Sequence, residues 1–173
     1  MKALVLVDLE NEWIDLNSDY FIGDVSGLVE RTNRIIDFCR ERSYKIIFIT
    51  HVEKDSDGVF AENSENVKII SDLHKEETDV LVVKNKISAF YKTNLEEVLR
   101  GVDEIVVCGV LTNLCVRGLV QDAYDRELKI TVINDCCQAF DKKIHEFTIK
   151  DLKETREEIN FLDLKDFISD DEY

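Results

Sequence analysis

Three residues far apart in the chain, Asp8, Lys84 and Cys115, carry the groups needed to attack and resolve an acyl centre. A thiol is the nucleophile, a carboxylate within reach takes its proton and later activates water, and an ammonium pairs with the carboxylate or polarises the substrate. Cys115 lies in Cys-Gly-Val-Leu-Thr-Asn-Leu-Cys-Val-Arg, residues 108–117, where a strand ends, the chain turns through Gly109 and a helix begins. In a first helical turn, unpaired N–H groups would stabilise a thiolate and hold an oxyanion. A buried helix cysteine packed beneath a sheet fits the same local pattern. Asp8 ends a strongly hydrophobic strand and either caps a loop or works in a crevice. Lys84 follows Asp-Val-Leu-Val-Val and either joins the carboxylate or snorkels its head to water.

Apolar runs that fit strands alternate with helical patterns, which points to a parallel sheet covered on both faces. Strands are expected over 3–7, 45–50, 79–83, 104–108, 129–133 and 159–162. Helices are expected over 28–42, over 94–99 after a Thr93 cap, from Thr112 or Asn113 to Asp125, and over 143–155. A long polar loop covers 52–66, a short helical segment follows at 67–73, and the acidic tail 169–173 is expected to fray. The whole chain, 1–173, reads as one three-layer α/β/α domain. In such sheets ligands bind beyond the carboxyl ends of the strands, where strand order reverses. Asp8, Thr50, Lys84 and Gly109 all fall at such ends.

Composition excludes several functions. The 173 residues carry 37 acidic and 22 basic side chains, a formal net charge of -15. Such a surface repels nucleic acid and anionic lipid, and no Lys/Arg stripe opposes it. No apolar run approaches the roughly 20 residues that span a bilayer, and the start of the chain offers no signal-peptide cleavage site. The expected location is the cytoplasm and the expected partner a small molecule. The five cysteines, at 39, 108, 115, 136 and 137, include no C-x-x-C pair and no zinc-finger spacing. Cys39 and Cys108 read as small buried hydrophobes, and a thiol-redox role for the adjacent Cys136 and Cys137 lacks the usual geometry. No cofactor is expected.

Residues 7–13, Val-Asp-Leu-Glu-Asn-Glu-Trp, resemble the first motif of the isochorismatase-like cysteine hydrolases. Residues 84–90, Lys-Asn-Lys-Ile-Ser-Ala-Phe, are similar to their second, and 109–116, Gly-Val-Leu-Thr-Asn-Leu-Cys-Val, to their third and most diagnostic. The resemblance implies a Rossmann-like fold with a six-stranded parallel sheet ordered 3-2-1-4-5-6. It also implies an Asp8-Lys84-Cys115 triad hydrolysing a C–N bond of a small amide, ureido or N-carbamoyl compound. Lys84 would keep Asp8 ionised, the N–H groups of Leu111 and Cys115 would form the oxyanion hole, and the Val110–Leu111 peptide would be cis. A homodimer or homotetramer is the implied assembly.

The chain also departs from the pattern. Glu10 replaces the family's usual glutamine and Trp13 its usual phenylalanine. The nicotinamidase metal motif, an aspartate and histidines after the second strand, is reduced to Thr-His-Val-Glu-Lys-Asp at 50–55, so no metal is expected. Trp13, His51, Phe60, Phe90, Tyr91 and Asn113 are candidate pocket residues, with loop packing, or for Asn113 a helix cap, as the plainer reading. Arg117 either contacts an anionic substrate or braces an interface. Asp55, Asp57 and Glu62 either face the pocket or are solvated. A metal-assisted nicotinamidase-like amidase and a noncatalytic regulator on the same scaffold are the alternatives.

Overall fold

A computed structural model describes residues 1–170 of the chain. Six strands, β1 (Lys2–Val7), β2 (Lys45–His51), β3 (Val80–Lys84), β4 (Glu104–Val110), β5 (Lys129–Gln138) and β6 (Asn160–Leu162), form one sheet. Every pair is parallel, in the order β3-β2-β1-β4-β5-β6. The helices are α1 (Ser26–Glu41), α2 (Leu95–Val98), α3 (Arg117–Tyr124), α4 (Lys142–Thr155) and α5 (Leu164–Asp170). The chain moves outward from β1 through β2 in one direction and from β4 through β6 in the other. Right-handed crossovers therefore put α1 on one face and α3 and α4 on the opposite one, and α5 packs beside α1.

This architecture explains why β1 reads as an unbroken apolar run. It is flanked by β2 and β4, and Ala3 to Val7 are completely buried, as a central parallel strand with both faces covered must be. Its neighbour β4 approaches so closely at Gly109 that a Cβ there would lie 2.1 Å from the Val7 carbonyl oxygen. Gly109 also takes φ +127°, a conformation open mainly to glycine.

Several expected elements change. β5 continues past Ile133 to Gln138, with a register shift against β4 between Val107 and Gly109. Asn134 and Asp135 thus sit inside the strand and not at its end, and Cys136 and Cys137 become buried strand residues with free thiols. The bulge accommodates extra residues in one strand at the sheet's carboxyl edge. No helix covers 67–73: a 3-10 turn occupies Glu65–Val67, and Ile69 instead makes an antiparallel bridge to Glu10. The tail expected to fray begins as helix, since α5 includes Ser169 and Asp170, while 171–173 lie outside the described residues. No helix among the described residues is long and apolar enough to cross a membrane.

Candidate active site

The sheet order reverses between β1 and β4, and the candidate residues gather at that switch point. Asp8 follows β1 directly and adopts φ +50°, a left-handed conformation that aspartate tolerates better than most residues. Its N–H donates to the Ile49 carbonyl at 2.9 Å, so the residue stays tied to the sheet while the chain leaves it. Lys84 ends β3, opposite His51 of β2 in register. From β3 to β1 is two strand spacings, about 9–10 Å, and a lysine stem can cover that distance across β2.

It does so: Lys84 Nζ lies 2.7 Å from Asp8 Oδ2, with the two side chains 0 % and 1 % exposed. The same nitrogen donates to Cys115 Sγ at 3.3 Å and contacts His51 Nδ1 at 3.3 Å. An ammonium has three protons and no acceptor, and this one faces a carboxylate as an ion pair, a sulfur and an imidazole nitrogen. His51 Nδ1 must therefore accept, which places the ring proton of the neutral imidazole on Nε2. Burial, then the Lys84 charge, hold His51 below the ordinary histidine range. Both Asp8 carboxylate oxygens are buried without a hydrogen-bond partner, so Lys84 engages Asp8 as an ion pair.

Cys115 does not sit in the first turn of an α-helix. Thr112–Val116 form a π turn led by Leu111, whose carbonyl accepts from Leu114 N–H at 3.0 Å and Val116 N–H at 3.2 Å. The α-helix starts only at Arg117. Such wide turns occur often at functional sites. Asn113 does not cap the helix, for the turn has no side-chain cap and Asn113 Oδ1 has no partner. The preceding Val110–Leu111 peptide is cis. Thr112, fully buried, shares a 2.8 Å hydrogen bond with His145 of α4 and ties the turn to the neighbouring helix.

The expectation of a lowered thiol pKa is reversed. Burial first, and the charge of Asp8 second, push the Cys115 thiol up to about 12, against the opposing pull of Lys84. The resting group is a thiol facing a carboxylate. Attack from this sulfur would need a base acting in the same step, and Asp8 is the carboxyl group beside it.

Three of the candidate pocket residues meet beside this cluster. Trp13 packs on Phe60 at 5.7 Å between ring centroids, and Phe60 stands edge-on to His51 at 5.1 Å. Tyr20 and Phe140 join the group, at 6.1 Å each from Trp13. Neither was legible in the sequence, because each lies in a loop with no periodic neighbours. Phe90 and Tyr91 go elsewhere. With Lys86, Lys92 and Arg126 they line a separate cavity of about 720 Å³, and Arg126 stacks 4.0 Å over the Phe90 ring. Asp55, Asp57 and Glu62 are exposed. Arg117 pairs with Asp151 of α4.

Two buried carboxyls also lie near the cluster, with no sequence signal of their burial. Glu12 is fully enclosed and receives the Ser18 hydroxyl and the Asn66 side-chain amide, which joins the segments that carry those two residues. Glu10, also fully enclosed, accepts from His51 N–H at 3.1 and 3.2 Å through its two oxygens. In the sequence Glu10 stands out only as a departure from glutamine.

The donors near β2 do not fit a metal. His51 Nδ1 already faces an ammonium, its Nε2 lies 3.7 Å from Glu53 Oε1, and no three His, Cys, Asp or Glu side chains among the described residues converge as ligands.

Comparison with known proteins agrees with the motifs. Nicotinamidase 3 of Arabidopsis thaliana is 28% identical over 167 residues, covering 88% of this chain and 80% of its own. The probable inactive nicotinamidase At3g16190 of the same plant is 30% identical over 172 residues, covering 87% of each chain. The crystal structure of an isochorismatase family protein from Desulfovibrio vulgaris superposes with a TM-score of 0.91 at 20% identity, covering 99% of this chain and 98% of that one. Residues 2–159 match the isochorismatase domain family, and the chain belongs to that family.

Proposed function

We propose that the protein is a cysteine hydrolase that cleaves the C–N bond of a small amide, ureido or N-carbamoyl compound. The observation that carries this reading is the single buried ammonium of Lys84, shared between the Asp8 carboxylate and the Cys115 sulfur. Burying an ion pair seldom stabilises a fold beyond what apolar residues would do, so this pair has a better account in chemistry than in structure. The same argument weighs against a noncatalytic role.

In the proposed cycle Cys115 Sγ attacks the substrate carbonyl as Asp8 takes the thiol proton. The C–S bond forms and the carbonyl oxygen becomes an oxyanion, held by the N–H groups of Leu111 and Cys115. Collapse breaks the C–N bond, and the leaving amine or ammonia carries away the proton from Asp8. Water then gives a proton to Asp8 and attacks the acyl carbon. The C–S bond breaks, and the thiolate recovers that proton. Lys84 offsets the negative charge on Asp8 and sulfur throughout. His51, Trp13 and Phe60 form a wall of the pocket, and the ring proton on His51 Nε2 is a donor for a substrate carbonyl or ureido oxygen.

The test is a screen of nicotinamide, aliphatic amides and N-carbamoyl amines for ammonia release. Wild type should turn over at least one of them, and Cys115→Ala and Asp8→Asn should each lose about 10³-fold or more. Undiminished turnover by Cys115→Ala would remove the mechanism.

A further inference from the structure

We propose that Glu10 stands in the site as a neutral carboxylic acid and serves as a positioning residue, holding the end of β2 while leaving Asp8 the one carboxylate that pairs with Lys84. This rests on the cysteine hydrolase reading above.

Glu10 is completely enclosed, and the hydrogen bond it receives from His51 N–H is divided between its two oxygens. An ionised carboxylate kept from water needs several such donors or a cation of its own. The nearby cation is Lys84, which is already 2.7 Å from Asp8. Two carboxylates sharing one ammonium would leave a net negative charge in the interior.

Every charged group packed against Glu10 bears on this. Asp8, at the end of β1, opposes ionisation, as does Glu12 in the Asn11–Ile14 turn. Lys84 from β3 and the His51 N–H from β2 favour it, and burial outweighs both. Across the antiparallel bridge stands Ile69, which is uncharged, and its neighbour Lys68 is engaged by Glu65. The balance pushes the Glu10 carboxyl up to about 9.

A protonated glutamate has the size and polarity of glutamine, with one acceptor and one donor end. It therefore fits where the family usually carries glutamine, with one difference: it can ionise. Above its pKa the new charge competes with Asp8 for Lys84 and weakens the alignment of Cys115, so turnover should fall on the alkaline side. The next groups to titrate are Lys84, raised above its ordinary value, and Cys115 at about 12.

The experiment combines infrared spectroscopy with pH profiles. Wild type at pH 7.5 should show a protonated-carboxyl C=O band that disappears by pH 10.5 and is missing from Glu10→Gln. A wild type without that band, or a Glu10→Gln variant that keeps it, overturns the proposal. In kinetics, Glu10→Ala should lower kcat about tenfold at pH 7.5, and glutamine at this position should rescue it. Glutamine should also move the alkaline limb up by at least one pH unit. An alkaline limb shared by wild type and Glu10→Gln would overturn the positioning role. Should Glu10→Gln not fold, Asp8→Asn replaces it: removing the Asp8 charge must lower the pH at which the wild-type band disappears, and an unmoved transition counts against the proposal. If no amide is hydrolysed by any form, the hydrolase reading fails, while the band still decides the state of Glu10.

Discussion

Lys84 Nζ lies 2.7 Å from Asp8 Oδ2 in a setting where neither side chain meets solvent. The two residues are 76 positions apart in the chain, and strand order alone makes them partners. Removing one partner strands the other charge in the interior, which costs about 3–5 kcal/mol. Lys84→Met should therefore be destabilised by that amount in urea unfolding. Asp8→Asn combined with Lys84→Met should recover most of the loss. Simple additivity of the two single variants would show that the pair is not coupled.

The Cys115 thiol makes an unusual prediction about reactivity. Because Asp8 raises its pKa, Asp8→Asn should produce more thiolate at pH 8. Alkylation by iodoacetamide should then speed up several-fold while substrate turnover collapses. A variant that slows both would mean that Asp8 activates the resting thiol directly.

Glu10 links the site to stability. Its folded pKa of about 9 exceeds the ordinary value of 4.5, so the folded chain binds the extra proton between those two limits. Stability from this group is full below pH 4.5 and is lost as pH rises toward 9. Glu10→Gln carries no such loss. Its melting temperature should match that of wild type near pH 4.5 and exceed it by several degrees at pH 8.5. A constant offset across that range would contradict a raised pKa.

Gly109 permits the contact between β1 and β4 just where the chain departs toward the Cys115 turn. A Cβ would fall 2.1 Å from Val7 O and 2.7 Å from Val7 N, and backbone atoms of a central strand cannot step aside. Gly109→Ala should cost at least about 3 kcal/mol, read by thermal unfolding. Wild-type stability in that variant would mean that the two strands are not packed so closely.

Much of this was legible because parallel α/β folds write themselves plainly. Apolar runs such as 3–7 and 104–108 have no other home than a sheet buried on both faces, and the residues after them fall at one edge. That logic reached Asp8, Lys84 and the Cys115 turn. It did not reach properties that depend on what closes over a group. The local helix start points to a lowered Cys115 pKa, whereas burial and the Asp8 carboxylate beside it, neither visible in the local sequence, raise it. Glu10 and Glu12 look like surface acids in a -15 chain, yet loops from residues 60–70 enclose them. Phe90 and Tyr91 follow the Lys84 motif closely, but the chain turns outward after β3 and carries them to another cavity. The extension of β5 was hidden by Asn134 and Asp135, polar residues that a bulge accommodates inside the strand.

The most direct measurement is intact-mass analysis of the enzyme quenched during turnover of whichever amide the screen identifies, followed by peptide mapping. The account predicts an added acyl mass on the peptide containing Cys115, present in wild type and absent from Cys115→Ala, which should be inactive. Turnover by Cys115→Ala at the wild-type rate, with no adduct on either protein, would contradict it.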